Sequence, residues 1–166
     1  EELLRQAHRI VAYDVAHIAL LEDGSLHTVH WRCSEESPVQ AEPFQMREDL
    51  TDFALDREAI KKRWPIVIPD VRQEPRWNTA RRMAWVKSYL AVPLCFGRRV
   101  LGVLRLNGAA SGRFTIVDGQ RLLPVASAAA VAIENARLVE GLEEEVATGL
   151  IDVIGERERS ATILRS

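Results

Sequence analysis

The chain has 166 residues, 47% of them hydrophobic and 28% charged, enough for one globular core with helical extensions and too little for a second full domain. Its formal net charge of −2, with both signs interspersed, offers no basic field that could hold a nucleic-acid backbone by counterion release. Two cysteines, Cys33 and Cys95, without a C-x-x-C pair, exclude a disulfide framework and a thiolate metal knot, fit a reducing cytoplasm, and accompany a sequence in which no apolar run nears the ~20 residues of a bilayer span.

Residues 2 to 13 space Leu3, Leu4, Ala7, Ile10 and Val11 three and four apart, which predicts an amphipathic N-terminal helix. A nearly continuous apolar run, Val15 to Leu21, and the alternating segment Leu26 to Cys33 flank Glu22-Asp23-Gly24-Ser25, so the two read as strands joined by a type I′ turn. Residues 34 to 46, with Ser34, Ser37, Pro38 and Pro43, read as a loop or irregular edge. A helix over 50 to 62 is expected to use Leu50, Phe53, Ala54 and Ile60 as its inner face and to end before Pro65. The short strand Ile66 to Ile68 precedes a turn-rich, aromatic segment through Trp77, with a helical turn around 79 to 84 and the character of a lid.

Strands over 87 to 96 and 99 to 107 flank Gly97-Arg98, and their near-continuous apolar character predicts a sheet covered on both faces. Gly102 marks a point of close approach within the second of them. Thr115 is placed to cap a helix that carries Asp118 in its first turn and runs to about Leu164, with Pro124 expected to kink it. Beyond Ala132 a heptad places Ala132, Val139, Val146 and Val153 at one core position and Asn135, Leu142 and Gly149 at the other. Glycines 141, 149 and 155 each cost roughly 1 kcal/mol of helix propensity, so this segment needs a partner helix. A parallel homodimer through the terminal helices is the expected assembly.

Pro65-Ile66-Val67-Ile68-Pro69-Asp70-Val71, Glu74-Pro75-Arg76-Trp77, Ser88-Tyr89-Leu90-Ala91-Val92-Pro93-Leu94, Val100-Leu101-Gly102-Val103-Leu104, Phe114-Thr115 and Ile133-Glu134-Asn135-Ala136-Arg137-Leu138 stand in this order. The ordered set resembles the GAF family of small sensory domains. The resemblance implies an α+β, GAF-like and PAS-related fold: a central antiparallel β-sheet, terminal helices on one face, a ligand pocket under short helices on the other, and a long C-terminal signalling helix. It further implies a sensory domain over 1–140, with its N-terminal helix at 2–13, and a coiled-coil connector over 141–166. That connector would lead toward an output or further sensory module in the same polypeptide, such as a histidine kinase, a diguanylate cyclase or a phosphodiesterase. Neither cysteine matches the bilin-attachment position of phytochrome-like relatives, the several reactive cysteines of the methionine-sulfoxide reductase branch are missing, and the Asn-Lys-Phe-Asp-Glu pattern of cyclic-nucleotide-binding relatives is not found.

Candidate ligand-binding residues are Asp70, Trp77, Trp85, Tyr89 and Arg105. The three aromatic residues offer flat faces with a polar handle, or they fill core and lid. Asp70 either accepts a bond from a ligand or stabilises its own turn. Arg105 is a lone charge in an apolar strand, which suits an anionic ligand, an edge position or a snorkelling stem. His8, His17, His27 and His30 have no carboxylate or thiolate cluster that completes a metal site, though haem through a single His stays open. No catalytic motif stands out. The sequence therefore reads as a cytoplasmic sensor without its own catalysis, its cofactor unspecified, its small-molecule ligand unnamed, and with no nucleic acid or inserted membrane as a direct partner. The alternative is a ligand-free dimerisation and spacer domain. A third class, a redox enzyme working through Cys33 or Cys95, would require a fast-reacting thiol.

Overall fold

The computed structural model describes residues 1–39, 47–77 and 84–165. They fall into two units, Glu1–Ala130 and a second beginning at Val131. The first holds a six-stranded, wholly antiparallel sheet built from β1 (Val15–Glu22), β2 (Ser25–Cys33), β3 (Arg47–Asp49), β4 (Ile66–Ile68), β5 (Ser88–Phe96) and β6 (Arg99–Gly108). The spatial order is β3-β2-β1-β6-β5-β4. Helix α1 (Glu2–Ile10) precedes the sheet, α2 (Ala54–Lys62) lies between β3 and β4, and α3 (Ile116–Arg165) follows it. The architecture is α+β, with an antiparallel sheet and a long C-terminal helix.

Both predicted hairpins form. Asp23 and Gly24 take positive φ, 49° and 76°, as a type I′ turn requires at both central residues. Residues 88–94 of β5 and 101–108 of β6 are all buried, so the central strands are covered on both faces. The close approach marked by Gly102 is to β1. A Cβ built there would lie 2.0 Å from the Ala19 carbonyl oxygen, a position only glycine can hold.

One face of the sheet carries Ala19, Leu26 and Val103 in one cluster, and Tyr89, Ala91 and Ile68 in another with Leu55 and Ala59 of α2. On the opposite face the first turn of α3 rests on the sheet: Gly119 sits so close that a Cβ would stand 2.7 Å from Pro65 and 3.3 Å from Leu90. Leu122, Ala126, Ala129 and Ala130 of the same helix are buried. The start of α3 is a capping box, in which Thr115 N–H donates to Asp118 Oδ2 at 2.8 Å and Asp118 N–H donates to Thr115 Oγ1 at 3.4 Å.

Several boundaries depart from expectation. The N-terminal helix expected over 2–13 ends at Ile10, because Val11 turns extended and Tyr13 enters the core, where its hydroxyl donates to the Leu4 carbonyl at 2.6 Å. The segment over 50–62 divides: Asp49 accepts from Thr51 N–H at 2.9 Å and opens a 3₁₀ turn, Leu50–Asp52, before α2 starts at Ala54. The fully buried residues of α2 are Leu55, Asp56 and Ala59, while Leu50 and Ile60 of the expected inner face pack, half-buried, against Ala19, Leu26 and Val103, and Phe53 lies half-buried over Arg105. The loop expected over 34–46 and the helical turn around 79–84 lie partly outside the described residues.

α3 continues through Pro124 to Arg165. It contains an 18-residue window of mean hydropathy 1.4, long and apolar enough by that measure to cross a bilayer, where the sequence count of apolar runs found none. The buried alanines that raise this value belong to the core of the first unit. In the second unit Val139, Leu142, Val146, Leu150, Ile151, Val153 and Ile154 are all at least half exposed.

Candidate functional site

β6 lies between β1 and β5, so Arg105 is neither at an edge nor snorkelling. Its 3% exposure places a guanidinium in the core, where an unpaired charge would be untenable. Two carboxylates meet it: Nη1 donates to Glu48 Oε2 at 2.6 Å and Nη2 donates to Asp56 Oδ2 at 2.6 Å. Glu48 is the middle residue of β3 and Asp56 sits in the first turn of α2, so a single side chain on the central strand ties together two elements that flank this face. Burial works against the Arg105 charge, but Asp56, Tyr89 and Glu48 outweigh it and hold the group above its ordinary range.

The second oxygen of Asp56 accepts from the Tyr89 hydroxyl. Burial first, then the Asp56 charge, pushes the Tyr89 phenol well above its usual value, so it remains a donor at any physiological pH. Tyr89 packs against Trp77 with ring centroids 4.9 Å apart, and the Phe53 ring lies 5.0 Å from the Arg105 guanidinium carbon. Trp77 is fixed by the turn before it. Its N–H donates to Glu74 O at 3.0 Å, and Arg76 donates from Nε to Glu74 at 2.9 Å and from Nη1 to Glu58 of α2 at 2.5 Å.

Phe53, Asp56, Trp77, Tyr89 and Arg105 thereby line a partly enclosed cavity of ≈ 20 Å³, room for about one water. Arg105 Nε and Trp77 Nε1 are buried and have no acceptor among the described residues. The floor continues across the sheet through His17, which opposes Arg105 in the β1–β6 register. Burial and the Arg105 charge lower His17 to about 3, so its ring is neutral. Asn107 Nδ2 donates to the Val15 carbonyl at 3.3 Å and stands 3.3 Å from His17 Nδ1, while Asn107 Oδ1 finds no partner among the described residues.

Of the five candidates, Trp77, Tyr89 and Arg105 come together at this cavity and two stand elsewhere. Asp70 caps its own 3₁₀ turn, accepting from Arg72 N–H at 3.0 Å and from the Arg72 side chain at 2.9 and 2.7 Å; these bonds hold its carboxyl below the ordinary value. Trp85 is partly buried against the cluster of Leu55, Ala59, Val86 and Tyr89. Sequence reasoning missed Glu48, Asp56, Phe53 and Asn107. The one available signal was Arg105 itself, since a charge in a strand covered on both faces demands buried counter-charges from somewhere. Among the described residues no group of three or more His, Cys, Asp or Glu is placed to hold a metal ion.

A single antiparallel sheet with α2 and a polar cavity on one face and a capped helix on the other defines a compact α+β domain. The family profile described as "GAF domain" matches residues 1–134, and the chain belongs to the GAF domain family. No curated protein sequence matches it. Among solved structures it is similar to the GAF domain of a two-component sensor histidine kinase from Bacillus halodurans, with 19% identity, TM-score 0.65, 84% of this chain and 93% of that one covered. It is also similar to the GAF domain of an Acinetobacter phosphoenolpyruvate-protein phosphotransferase, with 17% identity, TM-score 0.66 and coverage of 84% and 82%. A type II free methionine-R-sulfoxide reductase from Thermoplasma acidophilum matches at 18% identity, TM-score 0.63 and coverage of 79% and 86%. At these identities the likeness establishes the fold.

Proposed function

We propose that this GAF domain is a cytoplasmic, non-catalytic sensor that binds a small molecule at the cavity bounded by Phe53, Asp56, Trp77, Tyr89 and Arg105. Occupancy is relayed through α1 and α3 of a homodimer to an output module in the same polypeptide, such as a histidine kinase. In this reading residues 1–140 form the sensory part and 141–166 the coiled-coil connector. The observation that carries it is a pair of buried N–H groups, on Arg105 and Trp77, left without acceptors among the described residues beside a cavity with aromatic walls. Orphaned buried donors cost about 1–3 kcal/mol each, a cost that an acceptor from outside the chain removes. The exposed apolar residues of α3 past Val131 supply the surface for the dimer.

A ligand acts on the helices only through a difference in its affinity for their two arrangements. Native mass spectrometry of freshly purified protein is the direct test, with an added small-molecule mass that is lost on denaturation as the expected result. Protein that carries no such mass, and whose melting temperature no metabolite pool raises, rules the sensor out. One observation favours the alternative, a ligand-free dimerisation and spacer domain: the cavity holds only about one water, and the charge beside it is already paired.

A further inference from the structure

We infer that the ligand of this site carries a neutral hydrogen-bond acceptor, an amide- or lactam-type carbonyl on a flat apolar body, and that the site rejects carboxylates. The inference rests on the pocket reading above and names the chemical class that the pocket selects. A buried arginine invites the opposite conclusion, that it awaits an anion. Its surroundings argue otherwise. Nη1 and Nη2 already face Glu48 and Asp56 at 2.6 Å, so one cation sits against two carboxylates, all three nearly inaccessible to solvent. An incoming anion would add a third negative charge to a cluster that already has one in excess; of the other charged residues lining the cavity, Asp52 adds to that excess and Arg76 is already paired with Glu74 and Glu58.

What the cluster lacks is an acceptor without charge. Arg105 Nε and Trp77 Nε1 are donors only, and both are buried and unsatisfied. A cationic group brings further donors and leaves both N–H groups orphaned; a carbonyl oxygen has two lone pairs and satisfies them. Phe53, Trp77 and Tyr89 surround the cavity with ring surfaces, on which a planar apolar body stacks once they part. The ≈ 20 Å³ available has room for about one water, so the ligand's carbonyl takes a place that one water can occupy, and its ring enters only as the side chains around the cavity part.

Three probes of one shape test this: benzamide, benzoate and benzamidinium, neutral, anionic and cationic, titrated into the full chain at constant ionic strength. The readout is the indole N–H resonance of Trp77, assigned among the four tryptophans with the Trp77→Phe variant. Benzamide is expected to shift this resonance saturably and to bind at least about tenfold more tightly than either charged probe. Trp77→Phe keeps an aromatic wall and removes the N–H, and should weaken benzamide about three- to tenfold, the range of one hydrogen bond, with binding to parent and variant both followed by the Arg105 Nε–H resonance. Benzoate binding as tightly as benzamide overturns the ligand class and leaves the pocket reading standing. No movement of the Trp77 resonance with any probe up to about 20 mM, the range a fragment of this size reaches, overturns the inference, while a co-purifying mass would still uphold the sensor. Undiminished benzamide binding by Trp77→Phe overturns the donor assignment.

Discussion

Arg105, Glu48 and Asp56 stabilise one another only as a set. Replacing Arg105 by Met leaves two buried carboxylates facing each other, and the expected loss is about 3–5 kcal/mol in urea unfolding. Exchanging the whole set for apolar residues, with Arg105→Met, Glu48→Leu, Asp56→Leu and Tyr89→Phe combined, should regain most of that loss, because no charge or hydroxyl is then stranded. If the combined variant is less stable than Arg105→Met alone, the ion cluster is a net stabiliser of the fold. His17 adds a pH dependence of definite sign. Its folded-state value of about 3 lies below the 6.5 of a free imidazole, so the unfolded chain binds the extra proton. Stability is therefore full above about pH 6.5 and falls as the pH drops toward 3, with a slope from this group of at most about 1.4 kcal/mol per pH unit. His17→Gln should flatten the acid limb of a stability–pH curve between pH 6 and 4; an unchanged limb would assign the acid sensitivity to other groups.

At the scale of elements, the hairpins were legible because their signals are local: Asp23-Gly24 dictates its turn, and the apolar runs of β5 and β6 dictate double coverage. β3 was not legible. It is three residues long, Arg-Glu-Asp, and no periodicity in such a segment reveals that its middle glutamate is buried against a residue 57 positions away. Asp56 was hidden for a related reason: the inner face drawn through Leu50, Phe53 and Ile60 does meet the sheet side, but a reading by apolar residues passes over the carboxylate buried beside them. Half of the candidate site was thus invisible as pattern and implied only by the lone charge on β6.

On helix α3 the expected heptad places Gly149 at a core position, and an apolar patch along the helix runs through Val139, Leu142, Val146 and Leu150, which makes Leu150 the alternative to Gly149 in that seam. Were its steps of three, four and four residues to repeat, the pairing would follow an eleven-residue period and supercoil right-handed. Leu150→Asp should move the chain toward monomer in sedimentation at tens of micromolar, a range set by weak dimer affinities, with the sheet still folded. Gly149→Ala should leave the proposed dimer intact and strengthen the helix by about 1 kcal/mol. Dimer loss on Gly149→Ala and none on Leu150→Asp would restore the heptad register.

For the molecule as a whole, the sequence yielded the order of parts and the family, because turn residues, strand runs and caps are each set by neighbours in the chain. It did not yield the sheet order. The middle of the sheet is the β1–β6 pair, in which Val15 opposes Asn107 and its carbonyl accepts from that residue's side chain, 92 positions away. A growing chain on the ribosome consequently exposes β1 and β5 with open edges until β6 emerges, and unpaired apolar strands of this kind invite pairing between nascent copies. Fragments ending at Arg98 should collect in the pellet while those ending at Glu134 stay in solution. The burden of producing this domain falls on the interval of synthesis between its first strand and its last.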